Sequence, residues 1–256
     1  MSHPHHGCDK SASDPNDSTN AQPTTAPTPP VVPEQAGIHT SRPVAPPRPK
    51  IIVGLGNPGN RYVGTRHNVG FVCIDRLAER WGVTLVDRRQ HTVLGQGDVA
   101  DVPVVLAKPR TFMNNSGEAV RYLLARFHAR PSDLVIIYDE MDLPLGNIRL
   151  RPRGGTAGHQ GMASIVNVLG SNRFLRVRVG IGKPEHADDW VRYVLEPFSS
   201  GEISVMRYVV ERVADSIDTL LREGIDRAMN QFNTAPPSCP PDPAGPPRCG
   251  NPQEPS

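Results

Sequence analysis

Only eight of the 28 prolines lie in the 185 residues from 50 to 234, whereas 11 crowd into residues 1–49 and nine into 235–256. Proline lacks a backbone donor and breaks helices and central strands, so this distribution limits where regular structure can form. The flanks add Ser, Thr, Gln and Gly and almost no aromatic residues. Such segments cannot bury enough apolar surface to offset the entropy of ordering them. The expectation is a disordered Pro-rich tail over 1–49, one folded domain over 50–233 and a second disordered Pro-rich tail over 234–256.

Several classes are excluded early. No run of 18 apolar residues is present, so no transmembrane helix is expected. The opening MSHPHHGCDKSASD lacks an apolar h-region, which argues against a secretory signal; it is also poor in Arg and carries acids, against a mitochondrial transit peptide. Its HPHH could bind a metal adventitiously, but a solvated disordered tip is the expected reading. The cysteines at 8, 73, 239 and 249 have neither zinc nor disulfide-frame spacing, which fits a reducing compartment. The formal net charge of +2 conceals an asymmetry: from Leu143 to Lys183 there are seven basic residues and no acid. Either these strands carry solvated basic faces, or the stretch meets a polyanion.

The apolar periodicity alternates between strand and helix. KIIVGL (50–55), VPVVLAK (102–108), LVIIYDE (134–140) and FLRVRVGIG (174–182) read as strands, the last with Arg176 and Arg178 on one face; NIRLRP (147–152) reads as a more exposed one. Helical spacing runs from His67 to Trp81, with Thr65 as a possible N-cap, and through NNSGEAVRYLLARF, with Asn115 or Ser116 at its start. MASIVNVLG follows a glycine-rich turn, and the chain is helical from about 187 onward. Such alternation, with some strands nearly all apolar, predicts an α/β fold: a single domain with a mixed twisted sheet flanked by helices on both faces. In open α/β sheets ligands bind beyond the carboxyl ends of strands. Asn57, the pair Met113 and Asn114, and Asp139 all sit at such ends and could meet there.

GLGNPG (54–59) matches G-x-G-x-x-G formally. However, NRYVGT intervenes where a helix should open, and the acid about 20 residues on, Asp75, falls inside a helix rather than at a strand end. His67 and Asp139 make a better pair: an Asp at a strand terminus can hold one imidazole nitrogen and leave the other basic towards water. The sequence has no G-x-S-x-G, no cysteine beside a histidine and no H-E-x-x-H, so water is the economical nucleophile. DEMD (139–142) could hold Mg²⁺ or be a solvated loop. GGTAGHQG could cradle a phosphate on helix N-terminal amides or be a plain flexible loop.

Taken together, VGLGNPGNRYVGTRHNVGF, KPRTFMNNSGEAV, YDEMDLPLGNIRLRPRGGTAGHQGM and RVRVGIGKP resemble the bacterial-type peptidyl-tRNA hydrolases in order and spacing, over essentially all of 50–233. The resemblance implies a monomeric, cytoplasmic hydrolase with a single α/β domain and no metal or cofactor. Its partner would be peptidyl-tRNA, whose ester between peptide and 3′ ribose it would cleave to recycle tRNA from stalled translation. By matching motif, His67 would be the catalytic base, Asp139 its partner, and Asn57 and Asn114 substrate-positioning amides. Tyr62 would lie near the tRNA 3′ end, Met113 would line the peptide channel, and Arg151 and Arg178 would face tRNA. One departure stands out: the family usually reads GHNG where this chain has GHQG at 158–161. Gln160 keeps a substrate-holding amide on an arm one methylene longer; the neighbouring His159 matches.

Overall fold

Strand β1 (Lys50–Gly54) shows how the molecule is layered. Ile52 is buried in one apolar cluster, and Ile51 and Val53 are buried in another. A strand covered on both faces needs a continuous apolar run, which these three residues supply. The computed structural model describes residues 47–184 and 186–234. The segments expected to be tails lie, apart from 47–49 and 234, outside the described residues.

Six further strands complete one sheet: β2 (Asp87–Arg88), β3 (Thr92–Val99), β4 (Val102–Pro109), β5 (Leu134–Glu140), β6 (Ile148–Arg151) and β7 (Leu175–Gly180). Their order is β2-β3-β4-β1-β5-β7-β6. The central pairings β1–β4, β1–β5 and β5–β7 are parallel, whereas β2–β3, β3–β4 and β6–β7 are antiparallel. The sheet is therefore mixed, as the sequence predicts. Helices α1 (Val69–Trp81), α5 (Ser200–Glu223) and α6 (Ile225–Phe232) cover one face through Ile74, Leu77, Val209, Val213 and Phe232. Helices α2 (Ser116–Arg126) and α3 (Gln160–Leu169) cover the other through Val120, Leu123, Met162 and Ile165. A short helix, α4 (Trp190–Leu195), stands apart from both layers. Among the described residues no helix is long and apolar enough to cross a membrane.

β2 and β3 are absent from the sequence reading. TVLGQGDV breaks strand periodicity with two glycines, and the structure shows why they are there. A Cβ on Gly95 would lie 2.4 Å from the carbonyl oxygen of Thr84, and one on Gly97 would lie 2.8 Å from the Val83 side chain. The chain leaving α1 crosses this strand too closely for larger residues. The hairpin joining β3 to β4 turns on Ala100 and Asp101, both at positive φ (51° and 62°), without the Asn-Gly pair that usually announces it.

Helix α2 begins at Ser116 as expected and α1 two residues later than expected, at Val69, and neither start has a side-chain cap. Single 3₁₀ turns, Arg66–Asn68 and Met113–Asn115, precede α1 and α2. The hydroxyls of Thr65 and Ser116 donate to the carbonyls of Tyr62 and Met113 (2.8 and 2.7 Å) instead of capping first-turn amides. These tighter turns carry His67 and Asn114 to the carboxyl edge of the sheet.

The close seat of α1 fixes that placement. A Cβ on Gly54 would fall 2.0 Å from the Gly70 carbonyl oxygen, and one on Gly70 would fall 2.5 Å from the backbone of Leu55 and 2.6 Å from that of Ile137. Gly54 and Gly56 of GLGNPG thus serve helix–strand packing, Gly59 serves the turn at positive φ (104°), and the motif runs into a 3₁₀ turn at Asn60–Tyr62, not into a dinucleotide-binding helix. Gly70→Ala should lower unfolding stability by about 3 kcal/mol through overpacking against immovable backbone. A urea midpoint unchanged from the parent would contradict this packing.

Candidate active site

His67 leaves its 3₁₀ turn facing the end of β5. Its Nδ1 lies 2.8 Å from Asp139 Oδ2. The other carboxylate oxygen, Oδ1, is 3.0 Å from Nε2 of His159. His159 is the N-cap of α3, and its Nδ1 accepts the Met162 amide at 3.2 Å. That bond settles its tautomer: Nδ1 is bare, so Nε2 carries the proton and donates to Asp139. Asp139 is 3% exposed. Burial opposes its ionisation, yet the two imidazoles outweigh that and hold the carboxyl well below the usual carboxylate range. A carboxylate anion accepts from both rings. His67 therefore carries a proton on Nδ1, and Nε2 is the ring nitrogen that Asp139 leaves unengaged.

His67, Asp139 and His159 have donor atoms within 4.8 Å of one another, a set that could hold a metal ion. The tautomer argues against ligation, because His159 Nε2 has no lone pair while Nδ1 caps α3. The DEMD acids do not converge on a metal site either. Asp139 takes the two imidazoles, buried Glu140 takes Arg178 (2.7 Å) and Asp142 takes Lys183 (3.2 Å).

The pair opens into a cavity of about 410 Å³. Asn57, Met113, Asn114 and Gln160 line it too, so the structure unites six of the nine site residues expected from sequence: these four with His67 and Asp139. Asn57 is held tightly. Its Oδ1 accepts the Met113 amide (2.8 Å), its backbone amide donates to Asn68 Oδ1 (2.8 Å) and its carbonyl accepts from Asn68 Nδ2 (3.0 Å). With the oxygen committed, the side chain offers its Nδ2 donors. Asn114 and Gln160 are exposed within the cavity, while Met113 is buried in its wall.

Three expected residues lie outside this cavity. Tyr62 is buried, edge-on to the cavity residue Phe112 (ring centroids 6.3 Å apart). Arg151 and Arg178 line a second cavity of about 410 Å³ with Tyr138, Arg153 and Arg176. It shares Glu140 and Ala157 with the first, so the two are neighbours. Arg176 is 1% exposed and donates to the carbonyls of Gly155 and Asn172; burial pulls its pKa down. It is no part of a solvated basic face. A larger apolar groove of about 560 Å³, between α1 and α5, holds none of these residues.

Motif resemblance gives His159 no role beyond its match and does not mark Asn68, Phe112 or the α4 wall. A residue one place before a helix is a capping position, but histidine is not among the usual cappers, so that signal was weak. Cys73, the one free cysteine among the described residues, is buried and its thiol is pushed up to about 12. A thiol so placed is inert as a nucleophile.

Residues 51–239 match the family described as Peptidyl-tRNA hydrolase. This chain belongs to the peptidyl-tRNA hydrolase family. Among its relatives, the peptidyl-tRNA hydrolase of Chloroflexus aurantiacus is 46% identical over 184 residues, 72% of this chain and 98% of the relative. That of Desulforudis audaxviator is 47% identical over 185 residues, 72% of this chain and 93% of the relative. The crystal structure of peptidyl-tRNA hydrolase from Acinetobacter baumannii matches with a TM-score of 0.70 at 36% identity, covering 73% of this chain and 95% of that one. The mixed seven-stranded sheet is thus the fold of solved peptidyl-tRNA hydrolases.

Proposed function

We propose that this member of the peptidyl-tRNA hydrolase family cleaves the ester between peptide and tRNA, with His67 as general base on water. The observation that carries this reading is the Asp139–His67 bond, which engages Nδ1 of a cavity-lining imidazole and leaves Nε2 as the nitrogen free to act as base. Nε2 takes a proton from water as the oxygen attacks the ester carbonyl, and the ribose oxygen leaves with tRNA. Asn57 Nδ2 and the Asn114 amide supply donors for orienting the ester or stabilising its oxyanion, with Gln160 as a third amide at the rim. Met113 and the side chains of α4 form an apolar wall that suits peptides of varied sequence.

The neighbouring basic cavity suits the RNA, and Tyr62 backs Phe112 in the wall of the His67 cavity. Among the described residues Arg151 and Arg153 are exposed and have no acidic partner, whereas Arg178 is paired with Glu140. Arg151→Glu is therefore the cleaner probe, since a carboxylate at 178 would face Glu140. It should raise KM at least severalfold with little change in kcat, and reduce the salt slope of tRNA affinity by about 1. An unchanged KM would remove Arg151 from the RNA surface. In this reading the protein acts as a cytoplasmic monomer in tRNA recycling. Release of free tRNA from purified peptidyl-tRNA, undiminished by EDTA, tests the activity; no release by the parent protein would refute it.

A further inference from the structure

Helix α4 raises a question of support. It has six residues and buries none of them; Trp190, Val191 and Leu195 are 37%, 66% and 37% exposed. A helix this short does not persist alone, and apolar burial normally supplies what holds one. Yet Trp190, Val191, Val194 and Leu195 all line the cavity containing His67.

Polar fastening takes the place of burial, and Arg66 does most of it. Its Nη1 donates to the carbonyls of Tyr193, Glu196 and Pro197 at 3.4, 3.3 and 3.1 Å. Its Nη2 reaches both carboxylate oxygens of Glu202 at 3.2 and 2.9 Å. The Arg66 amide donates to the Glu196 carbonyl (3.1 Å), and its guanidinium lies 4.2 Å from the Tyr193 ring centroid. Two lesser pins help: the Tyr193 hydroxyl donates to the Ile181 carbonyl (2.6 Å), and Lys183 sits 4.7 Å from the Trp190 ring centroid. Arg66 is 7% exposed, and its planar fork meets three carbonyls and a carboxylate at once, which a lysine ammonium cannot do. It is also the residue before His67, in the same 3₁₀ turn. One side chain thus joins the turn bearing the base to the far end of the apolar wall.

We propose that Arg66, held by Glu202, is a positioning residue that sets the α4 wall against the catalytic turn and so governs how tightly the peptide portion of the substrate is held. This rests on the reading that the peptidyl ester occupies the cavity beside His67. A longer peptide covers more of that wall, so a loosened α4 penalises long peptides more than a single acylated residue.

The test is steady-state kinetics on two substrates, N-acetyl-aminoacyl-tRNA and a pentapeptidyl-tRNA, with thermal unfolding of each variant. Arg66→Lys should raise KM for the pentapeptidyl substrate about tenfold. Its kcat on both substrates, and its KM for the short one, should stay within about threefold of the parent. Glu202 also closes the capping box of α5, accepting the Ser199 amide at 2.7 Å. Glutamine serves that box as well, so Glu202→Gln removes the charge facing Arg66 while keeping the cap. It should shift KM in the same length-dependent direction, and it carries the test alone if Arg66→Lys does not fold. Hydrolysis by the parent protein establishes the underlying reading; its absence would remove both. With the parent active, equal losses on the two substrates, a loss confined to kcat, or an unchanged KM would overturn the role of Arg66.

Discussion

Asp139→Asn should lower kcat by about 10⁴-fold while tRNA binding persists. The size follows from proton placement. In the native site the carboxylate accepts from two N–H donors, His67 Nδ1 and His159 Nε2. An amide can accept one of these and must donate to the other. His159 cannot yield, because its Nδ1 already accepts the Met162 amide. The amide nitrogen therefore turns to His67 and drives that ring's proton onto Nε2, where it blocks the base. Single-turnover cleavage with filter binding of tRNA measures both halves of the prediction. Turnover within tenfold of the parent would mean that Asp139 does not set the His67 tautomer.

His67→Ala should cost about 10²–10⁴-fold in kcat, the usual worth of a general base, again with tRNA affinity retained. The amides and the basic cavity are untouched, so binding and orientation survive. Combining it with Asp139→Asn should add little, because residues acting as one unit are strongly non-additive. If the variant cleaves at the parental rate, the base lies elsewhere.

Where the sequence was legible, it was because local chemistry and global fold agreed. The apolar strands β1, β4, β5 and β7 and the periodic helices announce themselves, since a sheet covered on both faces demands them. β3 does not, because Gly95 and Gly97 answer to a crossing segment far along the chain, and no local pattern encodes that. In the site, His67, Asp139 and the asparagines were found through motif resemblance and strand-end placement. His159 shows in the sequence only as a match, because its work is done by a capping bond and a carboxylate 20 residues away. The role of Arg66 is not legible locally for a similar reason: its partners lie 127 to 136 residues further on. The basic run from 143 to 183 pointed to a polyanion, but periodicity could not reveal that Arg176 is sealed inside and Arg178 is paired.

The most direct measurement is ¹⁵N NMR of the histidine rings in the resting protein at neutral pH, with His67→Ala to assign the signals. The account predicts opposite tautomers for the two site imidazoles: protonated Nδ1 and bare Nε2 for His67, bare Nδ1 and protonated Nε2 for His159. A His67 ring carrying its proton on Nε2 would contradict the mechanism.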